Sequence, residues 1–251
     1  MLSVARSIDD LGGRIEAACL GSLAGEAAAG SAAGAADLLG VAESAAACGG
    51  FVEEDLRHRG LQRPSRSGNA GLVLRALPFG LLTPFDRPRL RRNAYRCVAL
   101  AGADEGTAVT AVAAAILIAD LTRFDLDVAL VRVRQSLLED APAALLQRLS
   151  PLAASAELSS DPDPGVALQG AITALARARS IPDVVAAARG GPAAALSLAG
   201  ALAGASGGGA ALDGVNPAEL PHGERALGIA RMLAERAHQL LPVLEASQPT
   251  G

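Results

Sequence analysis

The chain of 251 residues is 51% hydrophobic but only 2% aromatic, with four Phe, one Tyr and no Trp against 57 Ala and 28 Gly. All 22 basic residues are Arg; without Lys there is no phosphate loop of the usual kind and no Schiff-base enzyme, and with so few rings there is no stacking platform for single-stranded nucleic acid. A formal net charge of -4 and a pI near 5.4 argue against general binding to nucleic acid or to an anionic membrane surface.

The opening MLSVARSIDD carries acids where a signal peptide needs an apolar run, and the longest apolar stretch, residues 109–119, is too short to span a bilayer. The chain therefore reads as soluble and cytoplasmic, and its length as one domain over residues 1–251. Residues 108–121 are apolar nearly all round, which predicts a central buried helix. Residues 126–138 contain VRVR, a local strand mimic, but Leu126, Leu130, Val133 and Leu137 keep helical spacing and no hairpin turn follows. SSDPDPG (residues 159–165) and ASGGGAALDG (residues 205–214) read as loops. Between them, Gly200 and Gly204 give a small-xxx-small face against which a second helix packs closely. A last helix carries Ala226, Ile229, Ala230, Leu233, Ala237, Leu240 and Leu241 on one face, with Arg231 and Glu235 opposite and Pro242 as its stop. No stretch alternates long enough to be a strand. The expected architecture is all-α, a compact multi-helix bundle.

The ionisable residues offer little chemistry by spacing alone. Cys19, Cys48 and Cys97 are far apart, contain no CxxC and read as buried small hydrophobes. His58, His222 and His238 share no metal-ligand spacing, and no Ser lies in a GxSxG elbow. Residues 57–96 hold ten of the 22 Arg and a single acid, Asp86. Either these are solvated faces, or they form a basic rim that attracts an anionic ligand or partner.

Four segments in order resemble the ADP-ribosylglycohydrolase family. IEAACLGSLAGEAAAG (residues 15–30) is similar to its opening helix, GAADLLGVAESAAACGGFVEEDL (residues 34–56) to its TDDT-led segment, and NAGLVLRALPFGLL (residues 69–82) to its NGAAMRxxPxGLL run. DVVAAARGGPAAALSLAGALAGASGG (residues 183–208) is similar to its second metal turn and the helix that follows, and ADEGTAVTAVAAAILIADL falls where the family keeps its TH-x-DP helix. The resemblance implies an all-α bundle with a central cleft, which in active members holds two divalent cations and cleaves ADP-ribose adducts. Hard cations need clustered oxygen donors. Aligned on these motifs, the ligand positions here become Gly34, Ala35, Ala36, Gly191, Ala193 and Ala194, none with a side-chain oxygen. Only Ser31, Ala32 and Ala33 separate Gly30 from Gly34, so the loop that carries the family's acidic substrate residue is cut out. If Asp104 matches the Asp of TH-x-DP, Gly102 takes the histidine's place.

The resemblance thus predicts a metal-free cleft without a cofactor, lined by Ala35, Ala36, Asn69, Arg75, Asp104, Gly191, Ala193 and Ala194. Glu26 stands in for the family's GD aspartate, and Asp37 is a second carboxylate; the two are candidates for general acid or base work. Asp37 also fits an N-cap or first-turn acid, Arg75 a structural role bonding helix C-terminal carbonyls or an acid such as Glu43 beside an anion-binding one, and Asn69 a turn. Replacing acids by Ala and Gly makes the concavity apolar. The expected partner is a small organic molecule rather than nucleic acid or membrane, with a cyclisation, isomerisation, dehydration or rearrangement as the reaction type. The alternative is a non-catalytic pseudoenzyme acting through protein or ADP-ribose-type binding.

Overall fold

The computed structural model describes residues 10–30, 33–65, 67–151 and 156–241, with the side chains of Ala33 and Ala35 left out. Pro242, the expected stop of the last helix, and Arg66 of the arginine-rich segment lie outside the described residues. Those described form helices joined by short connections, with no strand among them; the only β feature is a single bridge between Arg189 and Gly191.

The centre is built on α1 (Leu11–Ala29), α7 (Glu105–Leu121) and α12 (Ala193–Gly207). From Thr110 to Leu121 every residue of α7 is buried, as an unbroken apolar helix requires. Helices α1 and α12 cross antiparallel at backbone contact. A Cβ on Gly200 would lie 1.9 Å from the Gly21 carbonyl oxygen, one on Gly25 2.1 Å from Leu196 O, and one on Gly204 2.2 Å from Ala17 O. The glycines at 200 and 204 therefore act as the sequence predicts, and Gly21 and Gly25 supply the matching face. Arg14 on α1 closes the other end, donating to the Ala205 and Ser206 carbonyls at the C-terminus of α12, where a cation is favoured.

Around this centre lie α2 (Ala33–Cys48), α3 (Glu53–His58), α4 (Gly68–Leu74), α5 (Leu77–Leu82) and α6 (Arg87–Leu100). Gly80 lets α5 reach α7, since a Cβ there would lie 2.2 Å from Ala115 O. Then follow α8 (Leu126–Leu137), α9 (Ala143–Arg148), α10 (Pro164–Arg177), α11 (Ile181–Ala187) and α13 (Gly223–Gln239). The VRVR stretch is helical, with Leu126, Leu130, Val133 and Leu137 buried. On α13 the buried set is Ala226, Ile229, Ala230, Leu233, Ala234 and Ala237 with Gly223. Arg231 there reaches Glu16 of α1 at 3.4 Å rather than staying on a purely solvated face.

Three expectations are corrected. ASGGGAALDG is not a loop throughout: its first residues finish α12, and Gly208–Leu212 form a 3-10 turn. The helical run Ala193–Leu212 is long and apolar enough to cross a membrane by composition, longer than residues 109–119, but 72% of its apolar window is buried inside the bundle. Cys48 is exposed, whereas Cys19 and Cys97 are buried and burial pushes each thiol up to about 12. Ellman's reagent at neutral pH is therefore expected to count one thiol in the native protein and three in denaturant; three fast thiols would contradict this packing.

The arginine-rich segment meets acids from outside itself. Arg57 pairs with Glu53, Arg59 with Asp55 and Glu43, Arg87 with Asp120, and Arg91 with Asp140. Arg89 donates to Gly49 O, and Arg96 lies over the Phe51 ring at 4.5 Å. With Arg75, which meets Asp37, five of the segment's ten arginines thus meet, among the described residues, an acid that lies outside it in sequence, so the charge that looks unbalanced along the chain is partly balanced in space.

Candidate functional site

The polar candidate residues fall into three groups: Glu26 with the start of α2, Asn69 with Asp104, and Asp37 with Arg75. The antiparallel crossing sets the last turn of α1 beside the first turn of α12, and Gly30 ends α1 in the left-handed conformation, φ 69°. Glu26, in that last turn, is buried at 4% exposure, and its Oε1 accepts the Gly34 N–H at the start of α2. A carboxylate at a helix N-terminus is well placed electrostatically. A side chain on Gly34 would sit 3.2 Å from Glu26 Oε1 and 3.6 Å from Ser67 Oγ, so Glu26 lies close behind the turn that opens α4.

Asn69, one residue into α4, donates from Nδ2 to Asp104 Oδ2 at 3.3 Å. Asp104 is the N-cap of α7, accepting the Thr107 N–H at Oδ1 at 2.7 Å. The Thr107 backbone N–H first, then its hydroxyl, hold Asp104 below the usual aspartate range. Its stabilising contribution is complete above the ordinary aspartate range and is lost as the pH falls through the lowered folded-state value. We expect Asp104→Ala to cost about 1 kcal/mol at pH 7, with the gap to wild type closing in acid; a gap that widens below pH 4 would contradict the capping role.

Asn69 and Asp104 form one wall of a cleft of about 510 Å³. Thr107 and Thr110 on α7, Arg148 on α9 and Asp163 before α10 complete its polar lining, with Leu145, Ala144 and three prolines between them. Arg148 Nη1 donates to Asp163 Oδ1 at 2.8 Å, and the same oxygen accepts the Val166 N–H as the N-cap of α10. The lining is thus mixed rather than the largely apolar surface expected. Arg148, Asp163, Thr107 and Thr110 were not singled out by sequence. A signal did exist: Asp-Pro-Gly opening an apolar helix is a cap with Pro at its first position, and two Thr three apart interrupt an otherwise apolar helix on one face.

The other candidates do not line this cleft. Ala36 and Ala193 are exposed, Gly191 half-buried and Ala194 buried at the starts of α2 and α12, and the Ala35 side chain lies outside the described residues. Asp37 and Arg75 form their own unit. Arg75 is 2% exposed, donates Nη1 to the Leu61 and Arg63 carbonyls at 2.8 Å, and binds Asp37 Oδ2 from Nη2 at 2.8 Å and Nε at 3.3 Å. The acid it meets is Asp37, not Glu43, which pairs with Arg225 and Arg59 instead. Asp37 sits inside α2 rather than at its N-cap, and Glu26 and Asp37 take different partners instead of forming an acid–base pair.

The fit to a pair of divalent cations follows from the donors. Gly34, Ala36, Gly191, Ala193 and Ala194 offer no side-chain oxygen. Among the described residues no group of three or more His, Cys, Asp or Glu is placed to hold a metal ion. Glu26, Asp37, Asp104 and Asp163 each accept from a protein donor, on separate units. This donor set does not fit two hard cations, which require a shared cluster of oxygens.

No family model matches the sequence, and none of the curated proteins does. Among solved structures, the chain superimposes on one described as an ADP-ribosylglycohydrolase-related protein complex with a TM-score of 0.79 and 19% identity, over 92% of this chain and all of that one. This superposition of an all-helical bundle shows that the chain has an ADP-ribosylglycohydrolase-like fold.

Proposed function

We propose that this protein is a repurposed ADP-ribosylglycohydrolase-like fold that binds a small organic molecule in a metal-independent cleft. The carrying observation is a 510 Å³ cleft with a few convergent polar groups, in a chain whose positions matching the family's metal ligands are Gly and Ala. That volume suits a molecule of ordinary metabolite size. Asn69 and Arg148 supply donors beyond their bonds to Asp104 and Asp163, whereas the Thr110 hydroxyl donates to Gly106 O at 2.8 Å and the Thr107 hydroxyl to Asp104, which leaves both threonines as acceptors. The ligand is therefore expected to carry hydrogen-bonding groups at its rim and an apolar body against Leu145 and the prolines.

A chemical step of the isomerisation, dehydration or cyclisation type would draw its proton transfer from Glu26, the buried carboxylate in the last turn of α1. Asp104, held below the usual aspartate range, is a poor proton donor near neutral pH. The engagement of every nearby carboxylate by a protein donor favours the second reading, binding without turnover. Mass spectrometry of molecules released from purified protein tests the proposal: one dominant compound is expected, depleted in Arg148→Ala and Thr110→Val. The absence of any bound compound, with no stabilisation by a metabolite library, would contradict it. Once a ligand is known, turnover unchanged in Glu26→Gln would remove Glu26 as the acid or base, and no turnover in wild type would assign the protein to binding alone.

A further inference from the structure

At the far end of α7, roughly 24 Å along the helix from Asp104, a second cluster stands apart from the cleft. Asp120 is fully buried and accepts two bonds from Arg87 Nη2, at 2.9 and 2.8 Å, and one from Arg132 Nε at 3.4 Å. Arg123 lies over the Phe85 ring at 4.4 Å and the Phe124 ring at 4.9 Å, and Arg132 over Phe124 at 4.6 Å. One carboxylate thus bonds two guanidinium groups and lies near a third, a surplus of two positive charges within the cluster.

Its donors are also in excess. Arg123, half-buried, has no hydrogen-bond acceptor among the described residues, and Arg87 Nη1 is buried with no partner. Only Nε of Arg132 is engaged, and its side chain is 40% exposed, so the cluster opens to solvent there. Burial first, then the positive charge of Arg132, hold Arg123 below the usual arginine range, as expected for a desolvated cation beside like charge. A surface arginine stacked on a ring is common, but two stacked arginines and a third, Arg87, around one acid, with donors left over, match a multivalent oxyanion.

We propose that Arg87, Arg123 and Arg132 form a binding subsite for a phosphoryl group carried by a small molecule. A dianionic phosphate matches the surplus charge, and its three acceptor oxygens match the unused donors of the three side chains. Nothing in this proposal depends on the cleft having a ligand.

The test is a thermal-shift and calorimetric titration with inorganic phosphate at constant ionic strength, on wild type, Arg132→Gln, Arg123→Gln and the control Arg92→Gln. Arg92 is an exposed arginine of α6 outside the cluster. At tenfold excess over Kd, wild type and Arg92→Gln are expected to gain roughly 3–6 °C, and both cluster variants less than a third of that. Calorimetry is expected to give at least tenfold weaker binding in Arg132→Gln. An equal gain in all four proteins would mark a general salting effect and overturn the proposal. So would no gain in wild type, or the full gain retained in either cluster variant.

Discussion

Gly200→Ala is expected to destabilise the protein by roughly 3 kcal/mol or more, lowering its thermal midpoint by roughly 6–12 °C for a chain of this size. In an exposed helix the same change would stabilise, because Ala is the better helix former. Here the added Cβ would lie 1.9 Å from the Gly21 carbonyl oxygen, and the nearest atoms are backbone, which cannot rotate away. The two helices would have to separate, and α1 and α12 are central to the core. Gly209→Ala is the matched control: nothing lies within 4 Å of its added Cβ, so a change within about 0.5 kcal/mol is expected. Differential scanning calorimetry of the two variants decides the point, and a stabilised Gly200→Ala would mean that the helices are not in backbone contact.

The second large effect is expected at Arg75. Its guanidinium, buried beneath α2, joins Asp37 to the Leu61 and Arg63 carbonyls, so one side chain holds α2 to the chain that follows α3. Arg75→Ala removes the cation from all three acceptors and is expected to cost about 3–5 kcal/mol. Arg75→Lys should recover little, since an ammonium cannot present the planar fork that reaches a carboxylate and two carbonyls together. Chemical denaturation of both variants measures this. Wild-type stability in Arg75→Ala would release the residue for the anion-binding role that its place in the RxxP motif also allows.

How much of this was legible in the sequence differs by element. The helical pattern of residues 108–121, 126–137 and 226–237 is carried by side-chain periodicity, which local sequence records directly. The glycines at 200 and 204 announced a close crossing; their partners at 21 and 25 carry the same four-residue spacing, but nothing in the sequence says that the two pairs face each other. The cleft was harder to see. Asn69 and Asp104 stood in recognisable motifs, whereas Arg148 and Asp163 reach it from α9 and the loop before α10, parts of the chain that resembled nothing. Arg75 shows why a residue type does not declare its partner: Glu43 and Asp37 are both on α2, and only the turn of that helix decides which faces the guanidinium. The arginines of residues 57–96 show the same, because the acids that meet them, such as Asp120 and Asp140, come from elsewhere in the chain.

Under the proposed function, this cleft works without the pair of divalent cations that the resemblance implies for active members. Titrating Mg²⁺ into chelator-treated protein, with and without ADP-ribose, and following both heat and thermal midpoint tests it most directly. We expect no saturable heat and no shift in midpoint beyond that of NaCl at matched ionic strength. Saturable, stoichiometric Mg²⁺ binding that stabilises the protein, strengthened by ADP-ribose, would contradict it.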